Sequence, residues 1–260
     1  MRFLLLAVFV TCVAVSAEAQ GDESQDNPYD PLASVPAPLR EAVRKVGRDA
    51  GRWAFTMHTI SRDRKGRVIE DVVARYDPSR HYDEQWTLLK KDGKDATESQ
   101  IKKHRKQRAK LEKRRRPFGE LLEFERAELV ADPSGGPGVL TYRVPLRPAE
   151  DDRFPIEKVE VFVRVDEAAQ SFRNIELKLR EPLRAFLVAK LKEGGALLEF
   201  ETVDPAHPPT LTKVTLAFGA SLAFVPVGLH TEITRGEFRR VKPYDERFQV
   251  KLGPLRTIDF

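Results

Sequence analysis

From Trp53 the chain alternates with a period of two. Trp53, Phe55, Met57 and Thr59 are separated by Ala54, Thr56 and His58. Alternation over this length predicts a strand with one buried face. The turn Asp63-Arg64-Lys65-Gly66 follows, then Arg67 to Tyr76, so the pair predicts a β-hairpin. Gln85 to Leu89 predicts a third short strand, bounded by Asp77-Pro78-Ser79 and Asp92-Gly93. The second half repeats the pattern. Leu140 to Leu146, Val159 to Val165 and Ile175 to Leu179 each alternate with polar residues or, once, with Phe162. Glu193-Gly194-Gly195 reads as a turn between strands at 186–191 and 197–203. Further strands are expected from Val214, over His230 to Val241, and over Phe248 to Phe260. Clean alternation argues for antiparallel pairing with one polar face, because parallel sheets need continuous apolar runs. The predicted fold class is mainly β with helices (α+β): a curved antiparallel sheet, or incomplete barrel, with covering helices.

Two segments switch to helical spacing. In Pro36 to Ala50, Leu39, Val43 and Val46 make one apolar stripe. Thr97 and Gln100 form a capping-box pattern, so a second helix is expected from 97 to 116, stopped by Pro117. Its best stripe is Ile101, His104, Arg108 and Leu111, which is thin. Such a helix is expected to be mostly solvated, or to dock only through Ile101, Leu111 and aliphatic stems.

The first residues change the setting. Arg2, the apolar run Phe3 to Val15 and Ala17-Glu18-Ala19 have the three parts of a secretory signal peptide, expected at 1–19. Residues 20–34 are acidic and contain proline, and are expected to be flexible. Residues 35–260 then form a single domain carrying the inserted helix. An uncleaved N-terminal anchor is the alternative. No other run is long and apolar enough to span a bilayer, so no transmembrane segment is expected in the mature chain. Cys12, the only cysteine, lies inside the signal region, which leaves the mature chain without disulfides, cysteine-bound metal or a thiol nucleophile. With Asn only at 27 and 174, neither in a glycosylation sequon, and with abundant arginine, a bacterial periplasm is the expected location.

Charge is concentrated in one place. The chain is 33% charged with a net charge of +5. Ten of its 45 basic residues and one of its 40 acidic ones lie between Ile101 and Arg116, so the remainder carries a net charge of −4. Lys102, Lys103, Arg105, Arg114, Arg115 and Arg116 are the candidate contacts to an anionic envelope surface. A merely solvated helix is the alternative. Nucleic acid fits poorly, since an exported protein seldom meets it and no aromatic residue is interleaved for stacking.

Catalytic motifs are missing. Gly219 to Ala223 lacks the second glycine of a nucleophile elbow, and Ser99-Gln100-Ile101-Lys102 has no partner motifs. The histidines at 58, 81, 104, 207 and 230 show no metal-binding spacing, although His58 and His230 fall on expected strands and could meet. No cofactor, metal or catalytic residue is assigned. A hydrolase of an envelope polymer, using carboxylates that spacing does not reveal, remains an alternative.

The layout of signal peptide, helix and long meander resembles the periplasmic lipoprotein-carrier superfamily (the LolA/LolB type and RseB-like relatives). Glu232 to Val241 is similar to a late strand of those families. Ala74 to Ser79, Trp86 to Leu89 and Asp92-Gly93 look like uncharacterised exported bacterial proteins of that type. The resemblance implies a half-barrel whose apolar face holds a lipid, a lipoprotein acyl chain or another amphiphile, without catalysis. Trp53, Phe55, Tyr142, Phe162, Phe218 and Phe224 are the large side chains expected to line it. A protein-interaction or envelope-sensing module, working through the basic helix, is the second reading.

Overall fold

Trp53, Phe55 and Met57 all face the protein core, as their spacing requires, and the strand that carries them is the centre of the architecture. The computed structural model describes residues 30, 32–49, 51–112, 118–148, 155–186, 189–222 and 225–247. The signal peptide at 1–19 and most of the expected flexible segment at 20–34 lie outside them, as do Arg114, Arg115, Arg116, Phe224 and the strand expected over Phe248 to Phe260.

Helix α1 (Ala37–Asp49) precedes the hairpin of β1 (Trp53–Asp63) and β2 (Val68–Tyr76), then β3 (Trp86–Lys91) and β4 (Lys94–Asp95). Helix α2 (Glu98–Glu112) and the short α3 (Phe118–Leu121) lead to β5 (Glu128–Val130). Seven strands complete the described chain: β6 (Val139–Arg143), β7 (Val159–Asp166), β8 (Ser171–Leu179), β9 (Leu183–Phe186), β10 (Ala189–Glu201), β11 (Thr210–Leu222) and β12 (Val225–Arg240). All belong to one sheet in the order β4-β3-β2-β1-β12-β11-β10-β8-β7-β6-β5, with β9 on the end of β10. Every neighbouring pair is antiparallel. The sheet is mainly β, antiparallel and not closed. The segment carrying α2 and α3 links one edge strand, β4, to the other, β5.

One core runs along one face, from Trp86 and Tyr76 through Phe55 and Ile233 to Leu198, Ile175 and Val163. Helix α1 covers β7 and β8, burying Leu39 and Ala42, with Val43 and Val46 packed beside them. Helix α2 covers β3. Its capping box forms as the sequence predicts. Gln100 accepts from the Thr97 amide at 2.9 Å, and the Gln100 amide points back to the Thr97 hydroxyl at 3.4 Å.

The Gly194-Gly195 pair is a correction to the sequence reading. It lies inside the 13-residue β10, in pairing with both β8 and β11. A Cβ on Gly195 would sit 2.9 Å from the Leu177 carbonyl oxygen. The glycine therefore marks a close approach of backbones and not a turn. Strand β6 also ends earlier than the alternation through Leu146 suggested. Leu146 instead forms an isolated bridge to Leu122.

Candidate functional site

The site begins with an irregularity in β12. Ile233 is fully buried in the core, and Arg235, two residues on, projects from the same face opposite Met57 of β1. The register then slips between Ala54 and Thr56, and Glu237 adopts a positive φ of 51°. This is a β-bulge with a non-glycine residue in the left-handed region. The Glu237 carboxylate accepts from the Thr56 hydroxyl, and its carbonyl accepts from Arg75 at 3.0 Å. The extra residue returns Phe238 to the covered face. Arg235 and Phe238 therefore flank the same ring: Phe238 lies 5.9 Å from Phe55, and the Arg235 guanidinium 4.4 Å above it.

Phe55 belongs to an aromatic row that crosses three strands. Tyr76 of β2 is 5.2 Å from Phe55 and 4.9 Å from Trp86 of β3, and Phe55 and Trp86 meet edge-on at 6.2 Å. An apolar helix would complete this packing. Helix α2 instead brings His104 edge-on to Trp86 at 6.4 Å and the Arg108 guanidinium 4.2 Å from the Trp86 ring centre. Docking was expected of Ile101 and Leu111, but the polar members His104 and Arg108 make the contact with the row.

The cover leaves donors without acceptors. Among the described residues five buried nitrogens have no hydrogen-bond partner: Trp86 Nε1, His104 Nδ1, Arg105 Nε, and Nε and Nη2 of Arg235. His104 Nε2 faces Arg108 Nε at 3.5 Å as an acceptor, which places the imidazole proton on Nδ1. All five are thus N–H donors. Burial, with help from Arg108, lowers the His104 pKa to about 4, so the ring is neutral near pH 7. Burial also lowers Arg235 to about 9, with Tyr76 opposing and Arg108 adding to the shift. Arg235 thus remains a cation at neutral pH, and the groups among the described residues that shift its pKa include no carboxylate. Each unmet buried donor costs about 1–3 kcal/mol, and charged ones more. This arrangement offers hydrogen bonds and positive charge.

The other candidates scatter. Trp53, Phe55 and Tyr142 are buried in the main core. Trp53 donates from Nε1 to Asp49 and packs against His207 and Phe238. Phe162 projects from the other face of β7, with Lys178 over its ring at 5.7 Å. Phe218 packs in a separate small cluster with Leu183, Leu191 and Ala220. It also lines a hollow of about 330 Å³ between the β1–β2 turn and β11–β12. Lys102 and Lys103 are exposed on the outer face of α2, whereas Arg105, expected at the surface, is partly buried. His58 pairs with Asp71 at 2.8 Å, while His230 lies opposite Arg62, four residues along β1, so the two histidines do not meet.

Arg235, Tyr76 and Trp86 were not singled out from sequence. The available signal was Arg-Gly-Glu at 235–237, a glycine and an acid interrupting an alternating strand. Elsewhere, Arg164 of β7 forms a closed network, with Asp132 at 2.7 Å, Glu176 at 3.0 Å and Asn174 at 2.9 Å. Among the described residues no group of three histidine, cysteine or acidic side chains could hold a metal, and no helix is long and apolar enough to cross a membrane. No family model, curated protein or solved structure matches the chain.

Proposed function

We propose that this chain is an exported, non-enzymatic binding protein of the bacterial envelope, which takes an amphiphile between helix α2 and the β1–β3 end of its sheet. The observation that carries this reading is the mismatch at that interface. An apolar wall, Phe55, Tyr76 and Trp86, is covered by a helix whose inward groups include His104, Arg105 and Arg108. A molecule with an apolar body and a polar end is complementary to both sides. The make-up of α2 supports entry: it lies over β3, and its outer face carries exposed Lys102, Lys103, Lys106 and Lys110. Those lysines would favour approach to an anionic membrane surface by about 1 kcal/mol each. The expected result is a lipid or lipoprotein that co-purifies from the native envelope and is detected by mass spectrometry. Protein that arrives without lipid, and that also fails to take up a fluorescent fatty acid, would refute the reading.

A further inference from the structure

The five unmatched donors come from three elements: Trp86 from β3, His104 and Arg105 from α2, and Arg235 from β12. Buried N–H groups in native proteins are nearly always paired, and a buried guanidinium without a counter-charge is the most costly exception. No described residue supplies an acceptor to any of these atoms. The helix above is rich in lysine and arginine, and its Arg108 is close enough to act on the buried Arg235. What is missing is an anion. Arg235 lies over Phe55, Trp86 meets the same ring edge-on from the other side, and His104 lies against Trp86 from the helix, so donors on three elements surround this end of the row and suit a group with oxygens in several directions. A tetrahedral oxyanion has that shape, whereas a carboxylate presents its two oxygens in one plane.

We infer that Arg235, His104 and Trp86, flanked by Arg105, form a binding site for a phosphate group, with the ligand's apolar part lying along Phe55 and Tyr76. The inference rests on the amphiphile reading for the apolar part only. The phosphate can belong to a lipid headgroup or be free in solution. The bulge at Glu237 has a role here, since it places Arg235 and Phe238 on the same face around Phe55.

The test is titration of the purified chain, followed by tryptophan fluorescence, because Trp86 lies in the site. The probes are inorganic phosphate, dodecyl phosphate below its micellar concentration, laurate and dodecyl maltoside. Dodecyl phosphate is expected to saturate and to bind more tightly than laurate. Arg235→Met should weaken it at least about tenfold, the loss of one charged hydrogen-bonding partner. His104→Leu, which keeps an apolar side chain against Trp86, should weaken it several-fold and serves as the second variant if Arg235→Met does not fold. Inorganic phosphate that binds in an Arg235-dependent way, while no dodecyl compound binds, would keep the phosphate site and remove the amphiphile. Dodecyl maltoside binding that equals dodecyl phosphate and ignores both substitutions would keep the amphiphile and overturn the phosphate site. Laurate binding as tightly as dodecyl phosphate would also overturn it.

Discussion

Arg164 and Arg235 are both partly or wholly buried arginines in the middle of long strands, yet their surroundings are opposite. Arg164 alternates with Val163 and Val165 and so leaves the sheet on the side away from the main core. The 132–134 turn folds over it with Asp132 and Ser134, and Asn174 and Glu176 reach it from β8. The turn is itself prepared, because Asp132 accepts from the amide and hydroxyl of Ser134 and from Thr141. Arg235 leaves the sheet on the core side and is covered by a cationic helix. The first arginine closes a structure that is complete without any other molecule. The second has buried Nε and Nη2 atoms without a partner among the described residues, which is the opening the proposed ligand would fill.

This contrast predicts effects of opposite sign. Arg164→Met strands Asp132 and Glu176 together and should lower stability by about 3 kcal/mol in urea unfolding. Arg235→Met removes an uncompensated charge and puts a flexible apolar chain beside Phe55. It should leave the ligand-free protein at least as stable, and up to about 1 kcal/mol more so. Equal losses from the two substitutions would erase the distinction. A smaller change concerns the cover alone. Thr97→Ala removes one half of the capping box and should destabilise α2 by about 1 kcal/mol. Hydrogen exchange should quicken in α2 amides and stay unchanged around Arg164.

Acid should separate the two regions further. The folded pKa of His104 lies near 4, below its ordinary 6.5, so the unfolded chain binds the proton first. Its contribution to stability is complete above pH 6.5 and is lost as pH falls toward 4. Asp132 is held well below its usual range by hydrogen bonds from Ser134 and Arg164. Its contribution is complete above 3.8 and is lost only at lower pH. His104→Gln should therefore flatten the stability curve between pH 6.5 and 4 and leave the steeper acid limb untouched. An unchanged slope in that window would mean that His104 is solvated and the cover is not closed.

Much of this was legible in the chain. The period of two located the strands because one face is apolar and the other wet. Thr97 and Gln100 announced the start of α2 because capping is a local event. Ile101, His104, Arg108 and Leu111 were legible as a stripe, but docking was expected of Ile101 and Leu111 and not of His104 and Arg108. What the latter two dock against was not legible, since Trp86 reaches them only through the tertiary fold. Gly194 and Gly195 misled because a glycine pair has the same spelling in a turn and at a tight strand crossing. Arg235 was hidden for a related reason. Which face a strand residue takes depends on counting by twos, and the bulge at Glu237 breaks the count.

The pairing of β1 with β12 also sets a timetable. The hydrogen bond from Thr56 to Glu237 joins residues 181 apart in sequence. Phe55 and Arg235 sit on these same two strands, one near the start of the described chain and one near its end. Contacts of such separation form late, because the loop between them must first be closed. While a chain emerges N-terminus first, β1 to β4 can make their hairpins, but the aromatic row has no arginine beside it. The site is thus assembled by the last of the described strands to arrive, and a chain cut short before β12 would carry the cover and the wall without the charge between them.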